Sequence, residues 1–119
     1  MDAIRTRNLS KQFGDVKALD GLDLHVEPGT VFGFLGPNGA GKTTTIRILT
    51  GLAWATSGRA WVMDVEIPAG LEQLTRRIGY LPEEPAFYPW MTARDFLDHV
   101  GRVFQLSRSQ RAARVAQLL

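Results

Sequence analysis

Apolar and polar residues alternate most clearly at Leu22, Leu24 and Val26, with Asp23, His25 and Glu27 between them. That period of two predicts a strand with one covered face, paired antiparallel. His25 falls in the polar phase and is expected on the exposed side. In Glu27-Pro28-Gly29-Thr30, proline and glycine occupy the two central positions of a type II turn, the second of which needs a positive φ. Val31-Phe32-Gly33-Phe34-Leu35 is apolar without a break and predicts a fully buried parallel strand. Thr43 to Leu52 reads as a helix, with Ile46 and Leu49 three apart and Gly51 near its end. Trp61, Met63 and Val65 alternate with Val62 and Asp64, which predicts another strand after a turn at Ser57-Gly58. Leu71 to Arg77 is expected as a short helix, and Ile78 to Leu81 as a short buried strand stopped by Pro82. Thr92 with Asp95, and Ser107 with Gln110, have the spacing of capping boxes. The helix after Thr92 carries an apolar stripe of Phe96, Leu97, Val100, Val103 and Phe104; the helix after Ser107 carries Ala112, Val115, Ala116 and Leu119 on one face.

Composition narrows the class without choosing a function. The chain has 119 residues, the length of one ordinary domain, with 45% apolar and 22% charged residues. Those values exclude a disordered or collagen-like chain. With no cysteine there is no disulfide framework and no cysteine-based zinc site, which fits a reducing compartment. The N-terminal residues lack the apolar core of a secretory signal, and no apolar run is long enough to cross a bilayer. Membrane association is therefore expected only through another chain or a further segment. The formal charge of +2 says little, but Arg102, Arg108, Arg111 and Arg114 fall in a stretch with no acid. A solvated helix face is the expectation there, and nucleic-acid contact is not favoured because no aromatic residues interleave.

Glycine changes the picture. Four of twelve, Gly33, Gly36, Gly39 and Gly41, lie within nine residues. Gly36-Pro37-Asn38-Gly39-Ala40-Gly41-Lys42-Thr43 satisfies G-x-x-x-x-G-K-[ST] between a predicted strand and a predicted helix. Glycines at that spacing let successive backbone N–H groups converge on phosphate oxygens, and the helix adds its free N–H groups and positive dipole end. Lys42 can reach the terminal phosphates, and the Thr43 hydroxyl can ligate Mg²⁺. A GTPase would also carry D-x-x-G and N-K-x-D. Asp98 to Gly101 fits the first only within a predicted amphipathic helix, and the second is absent.

The run GPNGAGKTT from Gly36 to Thr44 resembles the ATP-binding cassette (ABC) ATPases. That resemblance implies nucleotide contact by Gly36, Pro37, Asn38, Gly39, Ala40, Gly41, Lys42, Thr43 and Thr44. Leu9-Ser10-Lys11-Gln12-Phe13-Gly14 is similar to the family segment whose aromatic stacks on adenine, which assigns Phe13; a core phenylalanine at a strand end is the other reading. Ile78 to Glu83 resembles the family's Q-loop, with Glu83 where a glutamine binds Mg²⁺ and the attacking water. A carboxylate there keeps metal contact but opposes the γ-phosphate; Glu84 leaves the register open, and two exposed loop acids are the alternative. Phe87, Tyr88 and Trp90 sit in an aromatic stretch that reads either as an interaction patch or as a helix-docking cluster. In the family, the cleft beside it receives a helix of the membrane subunit.

The implied fold is α/β, a P-loop NTPase core of the ABC ATPase type. It has N-terminal antiparallel strands and the start of a helical subdomain, with residues 1–91 in the ATP-binding core and 92–119 opening the helical part. The resemblance covers only the front of the family pattern. No Walker B run ending in Asp-Glu, no LSGGQ-like signature and no switch histidine follow, and His25 and His99 stand too early. The sequence is thus expected to stop mid-domain, to bind nucleotide at most, and to expose an apolar edge. The resemblance, through Asn38-Gly39-Ala40 and the LPEEP segment, favours the exporter branch serving drugs, polysaccharides or lipids. It implies ATP and Mg²⁺, a transmembrane permease partner, a head-to-tail dimer and a cytoplasmic position peripheral to the membrane. A soluble cassette protein acting on ribosomes or DNA, and an inactive gene product, remain alternatives.

Overall fold

The computed structural model describes residues 1–119, which form two compact units divided between Tyr80 and Leu81. In the first, β1 (Ile4–Phe13) and β2 (Val16–Val26) form a long antiparallel hairpin. Helix α1 (Lys42–Leu49) follows, then β3 (Ser57–Val62), β4 (Val65–Ile67) and the short α2 (Leu71–Leu74). All pairings are antiparallel, in the order β2-β1-β3-β4.

Register explains which face is buried. Ile4 stands between Val26 and Val62, and Thr6 between Leu24 and Ala60, so these side chains share one face. That face, with Leu9, Leu19 and Ile67, packs against Ile48 and Leu49 of α1 and Leu74 of α2. Complete burial of Leu9 or Leu74 contributes roughly 1.5–3 kcal/mol each. The opposite face is polar: the Trp61 ring lies between the guanidinium groups of Arg5 and Arg59, at 4.3 and 4.8 Å. His25 is on this side, exposed, 3.4 Å from Asp2.

Bulges adjust the hairpin. Between Thr6 and Leu9 β1 has one residue more than β2, and Asn8 takes φ 47°. Thr6 and Leu9, three apart, can then both face the core. Gly58 lies opposite this bulge at φ 83°, and a Cβ on it would strike the Asn8 carbonyl. The turn expected at Ser57-Gly58 is therefore the start of β3, where glycine accommodates the bulged neighbour. The single strand expected over Trp61 to Val65 is likewise a hairpin. Met63 and Asp64, both at positive φ, reverse the chain between β3 and β4.

Two predicted strands do not form. Val31 to Leu35 has no regular secondary structure and lies outside the sheet, with Val31, Phe32 and Leu35 exposed. A parallel strand needs a neighbour to take its hydrogen bonds, and none of the four strands offers that ladder. Ile78 to Leu81 lacks a partner for the same reason. The helix expected over Leu71 to Arg77 keeps α-form only to Leu74 and ends in a turn. The turn at Pro28-Gly29 forms as expected, with Gly29 at φ 73°.

The second unit contains α3 (Ala93–Val103) and α4 (Arg108–Leu118), each begun by the capping box expected at Thr92 and Ser107. Arg111 is not on a solvated face. Its Nε bonds Asp98 at 2.8 Å, its Nη1 bonds the Leu106 carbonyl at 2.7 Å, and its stem lies against Gly101. Arg102 takes the other oxygen of Asp98 at 2.9 Å.

Candidate nucleotide-binding site

The phosphate-loop sequence forms an irregular turn leading directly into α1. Ala40 N donates to Pro37 O at 3.1 Å, closing the turn, and Gly39 and Gly41 both take φ 87°, where a Cβ would be strained. Gly41 is also the helix N-cap and offers no side chain to its amides. The first bond of the helix runs from Thr45 N to Gly41 O at 2.8 Å. The N–H groups of Lys42, Thr43 and Thr44 thus have no intrahelical acceptor. With no acid in the first turn, the positive end of the helix is uncompensated. Thr45, fully buried, anchors the turn by donating its hydroxyl to Gly41 O at 2.7 Å. At the far end, Gly51 at φ 76° closes a Schellman motif, with Leu52 N on Arg47 O at 2.7 Å and Gly51 N on Ile48 O at 3.1 Å.

Lys42 turns back over the loop and donates to the carbonyls of Gly36 and Pro37. Its ammonium is thereby held at the loop mouth, where it adds to the unpaired amides an attraction for polyanions. Thr43 is exposed on the first turn. This donor set fits a nucleotide's phosphates. It also fits Mg²⁺ in a limited sense, because the chain has no cluster of three acidic or histidine groups to cage a cation. A magnesium ion would be held by the Thr43 hydroxyl together with phosphate and water oxygens.

The loop rests on β2. A register shift between Lys11 and Gln12 leaves Ala18 as an extra residue in β2. Its carbonyl lies 2.5 Å from where a Gly41 Cβ would stand, with Leu19 Cδ1 at 3.2 Å. Two residues from Ala18, Val16 pairs with Phe13 across the hairpin end. Two residues span about 7 Å of strand, so Phe13 lies within a nucleotide's length of the loop. Phe13 is 55% exposed and lies outside the buried cluster of this unit. Leu9, Lys11 and Phe13 alternate along β1, so Phe13 leaves the sheet on the face that α1 covers.

The other expected site residues lie in the second unit. Glu83 is exposed in a bend beside Glu84. Phe87, Tyr88 and Trp90 are exposed as well, Trp90 by 76%. Phe87 meets Phe96 of α3 edge-on at 5.2 Å, while Tyr88 stands 5.1 Å from Trp90 and 6.2 Å from His99. An apolar groove runs along this cluster, lined also by Val100, Val103 and Phe104. Reading the sequence missed Lys11, whose ammonium lies 4.8 Å from the Phe13 centroid. The i, i+2 spacing on one strand was the available signal.

Loop, helix and flanking hairpin together define part of a P-loop nucleotide-binding fold. Comparison with known proteins gives the family: the ABC transporter profile matches residues 19–119. The chain is 43% identical to the Nod factor export ATP-binding protein I of Cupriavidus metallidurans, over 98% of this chain and 38% of that protein. It is 40% identical to the daunorubicin resistance ATP-binding protein DrrA2 of Streptomyces coeruleorubidus, over 98% of this chain and 36% of that one. Among solved structures, an ATP-binding subunit of an ABC transporter superposes with TM-score 0.76 at 27% identity, covering 90% of this chain and 45% of its own. The ADP conformation of the ATP-binding cassette MJ1267 superposes with TM-score 0.54 at 43% identity, covering 56% and 26%. The chain belongs to the ABC transporter family, with the fold of its ATP-binding cassettes, and spans somewhat over a third of these two curated relatives.

Proposed function

We propose that this chain binds Mg-ATP as part of the ATP-binding subunit of an ABC exporter. The observation carrying this reading is the contact of Gly41 with the Ala18 bulge, which sets the phosphate loop beside the hairpin end bearing Phe13. In this reading Gly36 to Thr44 hold the phosphates, Lys42 the terminal charge, Thr43 the metal, and Phe13 the adenine. Residues 1–91 supply the ATP-binding core and 92–119 begin the helical part. Relatives named for Nod factor export and daunorubicin resistance support the exporter branch.

The assay is equilibrium binding of labelled ATP. Lys42→Ala is expected to reduce affinity below detection while leaving the circular dichroism spectrum unchanged. Retained affinity sinks the assignment.

Binding and turnover separate here. Hydrolysis needs a positioned water and a base besides phosphate and metal contacts, and no candidate base accompanies the loop in these residues. The purified 119-residue chain is therefore expected to bind ATP without useful hydrolysis. Phosphate release at the rate of an intact cassette overturns this.

The wider assembly belongs to the same proposal. A transmembrane permease subunit would dock near Phe87, Tyr88 and Trp90, and the cassette would pair head to tail with a second copy. The assembly would lie on the cytoplasmic face of the membrane. No helix here is long and apolar enough to cross a membrane; attachment would run through that partner or a further segment. The alternative of nucleic-acid contact through the arginines loses support, because Arg102 and Arg111 are committed to Asp98.

A further inference from the structure

Lys11 is two residues before Phe13 on the same face of β1, and its ammonium covers one face of the aromatic ring at 4.8 Å from the centroid. Even with that face covered, Phe13 remains 55% exposed. The ring therefore has a capped side and an open one. A cation on one π face draws electron density toward itself, which lessens repulsion between the opposite face and a second flat π system. It also restricts the rotamers of an otherwise free side chain at a strand end, so less freedom remains to be lost when a base stacks.

We propose that Lys11 is a positioning residue for nucleotide binding: it holds Phe13 from one side so that a purine base stacks on the other, in the order ammonium, phenyl ring, base. This rests on the ATP-binding reading above. It assigns Lys11 no contact with the phosphates, although a lysine near a polyanion would ordinarily be given that role. The two roles differ in whether the effect of Lys11 depends on Phe13.

The test is a double-mutant cycle read by calorimetric titration of ATP into the full chain. Phe13→Ala is expected to weaken ATP binding about tenfold, in line with the loss of one stacked base. Lys11→Met is expected to weaken it about two- to fivefold when Phe13 is present. In the Phe13→Ala background Lys11→Met should add nothing, and Lys11→Arg should retain full affinity in the parent. Inorganic tripolyphosphate, which has no base, gives an independent readout: it should bind Lys11→Met as it binds the unaltered chain. Equal losses with and without Phe13, a loss of tripolyphosphate affinity, or ATP binding indifferent to Lys11→Met overturns the proposal alone. Failure of the unaltered chain to bind ATP overturns the nucleotide reading as well, and is a separate result.

Discussion

Gly41 meets two requirements that no other residue type satisfies together. Its φ of 87° strains any L side chain, and the position of its absent Cβ is already occupied by the Ala18 carbonyl. Gly29 has a similar φ of 73° but nothing within 4 Å. The pair separates strain from collision. Gly41→Ala should cost about 1–2 kcal/mol in conformational strain and displace the loop from β2, weakening ATP binding by about tenfold or more. Gly29→Ala should lower the melting temperature while leaving ATP affinity intact. Parallel thermal melts and ATP titrations check both; equal ATP affinities for the two variants would refute the account. The phosphate loop was legible because its chemistry is written in contiguous residues. The Ala18 contact was not, because it depends on a bulge whose existence is settled by the pairing of two strands.

Helices here announce themselves better than strands. The capping boxes at Thr92 and Ser107 are local in sequence and form as the spacing implies. Strand pairing is not local: Val31 to Leu35 has an ideal strand composition and no partner, while the β3–β4 hairpin turns through Met63-Asp64, which lacks the Asn-Gly signature. Asp98 also illustrates long-range placement, since its second arginine comes from thirteen residues away on the next helix. The hydrogen bond from Arg111, helped by Arg102, holds the Asp98 carboxyl below its usual range against a smaller opposing effect of burial. A lowered folded-state value means that this stabilisation is complete above the unfolded carboxylate value of about 3.9 and disappears as pH falls through the lower, folded value. The helical signal at 222 nm should therefore fall below about pH 4. Asp98→Ala should weaken the helix pair already at pH 6 and flatten the acid dependence; superimposable pH profiles would exclude this role.

At the scale of the molecule, the exposed apolar chain at Val31, Phe32 and Leu35 is the main liability. An exposed apolar segment with unpaired backbone groups is a template for pairing with other chains. The purified chain should accordingly associate as its concentration rises. Val31→Lys combined with Leu35→Lys should suppress this, as read by light scattering, without altering the melting temperature by more than a few degrees. Unchanged scattering would locate the sticky surface elsewhere, with the aromatic groove around Phe87 and Tyr88 the next place to test.

The bulged hairpin has a consequence for how this stretch can change by mutation. Side chains alternate along β1, so the face on which Phe13 emerges is set by the number of residues between it and the core contacts at Ile4 and Thr6. Asn8 is the extra residue in that count. Deleting it while Ile4 and Thr6 keep their places would rotate Leu9, Lys11 and Phe13 together onto the arginine-bearing face, away from the phosphate loop. Such a strand tolerates many exchanges of one exposed residue for another but very few changes of length, and the odd number of steps from Thr6 to Leu9 is a feature that insertions and deletions cannot alter without moving Phe13.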